Sequence, residues 1–174
     1  MTDDHPRLAA IVFPKGFHVD GLLADVVATL TASGLRVAGV VQEAVATTPD
    51  RCDTLVLRDM TDRTTTCITE DRGAQSAGCR LDPRGLAEVA AKLEAVLDTN
   101  PDLLVINRFG KAESEGGGLR AVLTTALMRG IPVLTAVRDL NVAGWQSFHE
   151  GTAQDLPPVR GAVDDWVAAW RPGA

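Results

Sequence analysis

Lysine is scarce in this chain. Only Lys15, Lys92 and Lys111 are present, and arginine supplies the rest of the 17 basic side chains, against 23 acidic ones. The formal net charge of -6 and the lack of any basic block exclude a nucleic-acid surface, because affinity there rests on neutralising phosphates. Cysteine is equally sparse. Cys52, Cys67 and Cys79 are odd in number, widely spaced and without a CxxC pair, which excludes a disulfide framework and a zinc-ligand spacing. They read as small packing residues in a reducing cytoplasm. No apolar run approaches the roughly 20 residues that cross a bilayer. The polar, acidic start Met1-Thr2-Asp3-Asp4-His5 is not a secretory signal.

What is present has the balance of an ordinary globular protein, with 45% hydrophobic and 23% charged residues. A chain of 174 residues suits a single α/β domain over 1–174, with a polar tail at 1–6. Leu8-Ala9-Ala10-Ile11-Val12-Phe13 is a continuous apolar run ended by Pro14, which reads as a strand buried on both faces. Asp20 is expected to cap a helix carrying Leu22, Leu23, Val26, Val27 and Leu30, stopped by Gly34. A second strand at 35–42 completes a strand–helix–strand unit, which implies a parallel pair with a right-handed crossover.

Segments 54–57 and 66–69, turning at Asp62-Arg63, read as an antiparallel hairpin at one sheet edge, and 71–80 as a loop. Asp82-Pro83 opens a helix with face Leu86, Val89, Leu93, Val96 and Leu97. A strand at 102–107, a polar glycine-bearing loop at 108–118, a helix ending at Gly130 and a strand at 131–137 follow. Asn141 is expected to cap a short helix with Trp145 and Phe148. A last helix carries Val163, Trp166, Val167 and Trp170, with the tryptophans in the core or at a subunit contact. The alternation predicts a three-layer α/β fold with a mostly parallel sheet and an antiparallel hairpin.

Ligands of open α/β sheets bind beyond the carboxyl ends of the strands. The loops after Phe13, Asn107 and Val137 emerge there, and two of them hold the glycine-flanked Lys15 and Lys111. Lysines, the forked donors of Arg108 and Arg138, and helix N-termini together favour an anion. The alternative is a set of solvated bases scattered round the rim. Pro14-Lys15-Gly16-Phe17-His18-Val19-Asp20 sits where a phosphate loop would sit, but it does not have the pattern G-x-x-x-x-G-K-[ST]. The lysine that reaches the phosphates and the hydroxyl that holds magnesium are both missing.

The run Asn107-Arg108-Phe109-Gly110-Lys111-Ala112-Glu113, with Glu115-Gly116 and Gly118-Leu119-Arg120, resembles the signature of domain of unknown function 2478. Val19-Asp20, Ala38-Gly39-Val40-Val41-Gln42, Leu57-Arg58-Asp59, Asp71-Arg72-Gly73, Gly78-Cys79-Arg80-Leu81-Asp82 and the strand from Gly130 to Val137 add to the likeness, which covers roughly 7–170. Members of that family are often encoded beside molybdate-transport genes. More distantly, the layout is similar to small P-loop nucleoside-triphosphatases, whose corresponding strand ends in Asp-Glu before a glycine and a later Glu. Gly110 and Glu113 match. Asn107 stands in place of the magnesium-linked Asp, and Arg108 in place of the water-activating Glu. That resemblance implies a P-loop-like fold with a degenerate phosphate loop and altered hydrolytic groups.

The resulting expectation is a cytoplasmic oxyanion-binding protein without hydrolytic turnover, with no catalytic residue, metal site or cofactor assigned. The family's genomic company makes molybdate or tungstate the implied ligand, for storage or delivery. The anion set is Lys15, Gly16, His18, Asn107, Arg108, Gly110, Lys111 and Arg138. Gln42, Arg58, Arg72, Cys79, Glu113, Glu115 and Arg120 support it, with Glu113 and Glu115 pairing to Lys111 and Arg120. Two rivals stand beside this reading. One is a nucleotide-binding protein or weak nucleoside-triphosphatase. The other is a regulatory or scaffolding partner of molybdate-transport or molybdenum-cofactor proteins. Apolar C-terminal positions suit a homo-oligomer.

Overall fold

The computed structural model describes residues 5–45, 54–70 and 80–171. Its centre is a stack of short apolar strands: β1 (Leu8–Phe13), β2 (Val37–Val45), β7 (Leu103–Phe109) and β8 (Val133–Arg138). They are parallel, and they extend into a seven-stranded sheet of order β4-β3-β2-β7-β8-β1-β9. β3 (Thr54–Asp59) and β4 (Thr65–Cys67) form the antiparallel hairpin at one edge, as expected. Its turn is held by Asp59 Oδ1, which accepts from the Thr61 amide at 2.7 Å, and by Asp62 Oδ1, which accepts from the Thr64 amide at 2.8 Å. The opposite edge is β9 (Ala153–Leu156), parallel to β1. The segment Ala-Gln-Asp-Leu is short and polar, so it carries no strand signal of its own. A separate two-stranded ribbon joins β5 (Thr69–Glu70) to β6 (Arg80–Leu81).

Helices cover both faces. α1 (Val19–Ala32) and α6 (Arg160–Trp170) pack on Ala9, Ile11, Phe13, Leu103, Val105, Leu134 and Ala136. α2 (Pro83–Leu97), α4 (Arg120–Met128) and α5 (Val142–His149) pack on Leu8, Ala10, Leu104, Ile106, Val133 and Val137. Alternate residues of each strand thus enter different cores, which is why these strands read as unbroken apolar runs rather than as alternating ones. Trp145, Trp166 and Trp170 are all buried in these cores. Among the described residues, no helix is long and apolar enough to cross a membrane.

Local signals set most boundaries. Asp82 caps α2 by accepting from the Arg84 amide at 2.9 Å, with Pro83 at the first helical position. Three expectations are corrected. α1 starts at Val19 with no side-chain cap, so Asp20 lies inside its first turn. β7 runs on through Arg108 and Phe109, and the expected loop beyond it contains the short helix α3 (Lys111–Ser114). Asn141 does not cap α5 through its side chain, because a 3-10 turn at Asp139–Asn141 leads into that helix.

The topology creates one crevice. β1 and β8 are neighbours, yet β1 leads to α1 on one face and β8 leads to α5 on the other. Their carboxyl ends therefore part at a switch point, the usual place for a ligand in such sheets.

Two stability predictions follow from the strands beside this crevice. Gly39 has φ +130°, and a Cβ there would collide with the Val105 carbonyl. Gly39→Ala should lower unfolding stability by about 2–4 kcal/mol in urea denaturation. At the other end of the strands, Asp102 accepts from the Arg36 amide at 2.8 Å and from Arg36 Nη2 at 2.8 Å. Hydrogen bonds from Arg36 hold the Asp102 carboxyl below its ordinary range. A lowered carboxyl pKa stabilises the fold above the unfolded value, near pH ~4, and that contribution is lost as the pH falls through the folded value. Asp102→Asn should therefore cost stability at neutral pH, and its difference from the wild type should shrink in melts taken below about pH 4.

Candidate functional site

The crevice is built from three chain segments. The first is the β1–α1 loop. It turns through a bond from the Phe17 amide to the Pro14 carbonyl at 3.2 Å, and Gly16 takes φ +86° in it. Lys15, Gly16 and His18 are exposed, and neither Lys15 nor His18 has a side-chain partner among the described residues. The loop delivers α1 with uncapped N-terminal amides.

The second segment is the end of β7, where the pairing with β8 is irregular between Ile106 and Phe109. Asn107 is buried, only 1% exposed, and its Nδ2 donates to Asp20 Oδ1 at 2.8 Å. Arg108 Nη2 donates to the same oxygen at 3.0 Å. One carboxylate oxygen thus ties the first turn of α1 to two successive residues of β7. Asp20 was expected as a cap, and this bridging role was missed. The sequence carries no local hint of it, since 87 residues separate Asp20 from Asn107. The Arg108 guanidinium also lies over the Phe13 ring, 5.2 Å from its centroid.

The third segment is the end of β8. Arg138 is in register with Phe13, so Arg108 and Arg138 meet the same residue from two directions. Both arginines keep Nε buried without a hydrogen-bond partner, and Asn107 keeps Oδ1 in the same condition. Arg138 Nε lies 3.8 Å from Asp139 Oδ1. A buried polar atom left unpaired costs on the order of 1–3 kcal/mol, which a bound ligand can offset.

Behind β7 the chain is fixed by Glu113. Its carboxylate is buried, with Oε2 accepting from the Gly110 amide at 2.9 Å and Oε1 from the Leu119 amide at 3.0 Å. Gly118, at φ +56°, leaves room for that carboxylate, because a Cβ there would collide with Oε1. The expected pairing of Glu113 with Lys111 is therefore corrected: the carboxylate binds main chain. Arg120 reaches Glu113 only at its carbonyl, 3.1 Å away, and lies over the Phe148 ring. Glu115 is near Lys111 at 3.8 Å, and both are exposed.

A cavity of about 170 Å³ opens beside this segment, on the α2 and α4 side of the sheet. Gln42, Asn107, Arg108, Gly110, Lys111 and Glu113 contribute to its lining. Arg58 is not part of it. Its guanidinium pairs with Glu43 at 2.6 and 2.8 Å on the α1 side of β3, and those hydrogen bonds hold the Glu43 carboxyl below its ordinary range. Arg72 and Cys79 lie outside the described residues. Among the described residues, no three His, Cys, Asp or Glu side chains are grouped to hold a metal ion.

The electrostatics differ from the expected surplus of positive charge. Asp20 balances Arg108 inside the site, and Asp139 stands near Arg138. Lys15 and Lys111 add charge only at the solvent rim.

The Glu113 geometry gives a direct test. Glu113→Gln keeps the shape but sets an amide NH₂ against one backbone N–H, so it should destabilise the protein by about 1–3 kcal/mol in denaturant melts. The family model described as a protein of unknown function, DUF2478, matches residues 8–166. The molybdenum import ATP-binding protein ModC 2 of Bradyrhizobium diazoefficiens is 33% identical over 168 residues, covering 97% of this chain and 18% of that protein. The chain thus spans less than a fifth of that relative's length. No solved structure matches it significantly. The match across nearly the whole described sheet, with the Asn-Arg-Phe-Gly segment at its centre, means that the chain belongs to the DUF2478 family.

Proposed function

We propose that the switch-point crevice binds a small oxyanion, without hydrolysing a nucleotide, in a protein that serves molybdenum handling. One observation carries this reading. Arg108 and Arg138 flank Phe13 at adjacent strand ends with buried Nε donors that make no hydrogen bond, beside a helix whose N-terminal amides lack a side-chain cap. Guanidinium forks and helix N-termini both favour tetrahedral anions. Asp20 sets how strong such a site can be, because Arg108 meets the ligand already partly neutralised. It also holds the guanidinium in one orientation, which lowers the entropy lost on binding.

The choice of molybdate rests on the similarity to a protein of molybdenum import, and tungstate is included as the oxyanion of closest chemistry. A module of this kind would buffer the oxyanion or pass it on beside transport or cofactor-assembly proteins in the cytoplasm. Absence of turnover rests on sequence: no lysine–hydroxyl pair closes the first loop, and Asn107 and Arg108 stand where a hydrolase of similar layout carries acids.

Isothermal titration with molybdate, tungstate, sulfate and phosphate tests this reading. Binding of at least one oxyanion is expected at micromolar to low-millimolar concentration. Arg138→Ala should weaken that binding roughly 10- to 100-fold, the value of one charge-assisted hydrogen bond. Lys92→Ala, whose side chain pairs with Glu88 on α2, should leave it unchanged. No binding of any of the four, or full affinity in Arg138→Ala, would remove the proposal.

A further inference from the structure

The cavity behind β7 does not fit a bare oxyanion. Half of its wall is apolar, including Leu57, Ile68, Leu86 and Leu119. Cavities that enclose a whole small-molecule ligand run to about 300–1,000 Å³. At about 170 Å³ this one has room for a single ring system.

Its polar lining comprises the charged side chains of Arg108, Lys111 and Glu113, the last bound to main chain, and two carboxamides, from Gln42 and Asn107. Gln42 makes no side-chain hydrogen bond among the described residues. Asn107 is 99% buried in effect, with 1% exposure, and its Oδ1 has no donor. The orientation of that amide follows from chemistry, since its NH₂ must face the Asp20 carboxylate. Carboxamides are the side chains suited to the mixed donor and acceptor edge of a heterocyclic base, and apolar walls suit its faces. A free acceptor on Asn107 asks for a ligand N–H.

The cavity and the anion crevice share residues. Asn107 and Arg108 bond to Asp20 on the α1 side and also line the cavity on the other, with Lys111 at the same lining. We infer that this cavity receives the heteroaromatic ring of a ligand whose anionic group lies at the switch-point arginines: a ring with N–H donors, joined to a phosphate-like group. This rests on the anion reading for the charged half of the ligand. The ring half is independent of it.

Titration calorimetry separates the two halves. The probes are inorganic phosphate, ribose 5-phosphate, the four nucleoside 5′-monophosphates, and uncharged guanosine. At least one base-bearing monophosphate, guanosine monophosphate first among them, should bind ten-fold or more tightly than ribose 5-phosphate. Leu86→Trp, which fills the cavity from its half-buried wall, should abolish that gain and leave ribose 5-phosphate affinity unchanged. Gln42→Leu preserves volume and should lose part of the gain. Thermal melts confirm that both variants fold. Equal affinity for ribose 5-phosphate and all four nucleotides overturns the inference, and so does a gain that survives in both variants. If phosphate and ribose 5-phosphate bind while the base adds nothing, the ring site fails and the anion site stands. If guanosine binds in a Leu86→Trp-sensitive manner while no anion adds affinity, the anion site fails and the ring site stands.

Discussion

A parallel sheet covered on both faces leaves only its two ends to water, and that constraint organises this molecule. Alternate side chains of β1, β7 and β8 enter two separate apolar cores. Polar side chains with unmet hydrogen-bonding capacity are then costly anywhere except at the strand ends. At the carboxyl end the chain places Asn107, Arg108 and Arg138, with three orphaned polar atoms on two adjacent strands. At the amino end Arg36 and Asp102 satisfy each other, and Arg171 bonds to Ser33. Trp170 Nε1, near this end, is also buried without a hydrogen bond, so the orphaned atoms are more numerous at the carboxyl end without being confined to it.

The parts of the fold that were legible from sequence are those in which one segment decides its own fate. Continuous apolar runs marked the central strands, and Asp82-Pro83 marked the start of α2. The hairpin was visible because Asp59, Asp62 and Arg63 carry turn chemistry locally. β9, β5 and β6 were not visible, since strands of two to four residues exist only because a neighbour offers a free edge. The division of labour among acids was hidden for a similar reason. Asp20 looks like a helix cap in sequence, but 87 residues separate it from Asn107, the group that actually claims it. Arg58 is expected as a supporting group near the site, but it pairs with Glu43 on the far face of the sheet.

The structure changes the electrostatic meaning of the Asn-Arg motif. Reading Asn107 and Arg108 as replacements for two acids suggested a basic pocket. The geometry instead returns one acid to the spot from another element, because the Asp20 carboxylate occupies the space between them. The pocket therefore exchanges a metal-binding arrangement for an internal ion pair. Lys15 and Lys111, prominent by rarity, reach solvent and lie at the rim.

The oxygen of Asp20 that receives both Asn107 and Arg108 has a mechanical side. Two donors on one acceptor leave little slack, so a shift of the first turn of α1 must be followed by the end of β7 or must break a bond. The end of β7 is also a wall of the apolar cavity on the opposite face. The strand tip thus carries residues common to both sides of the rim, and a substitution at Asn107 or Arg108 alters both at once.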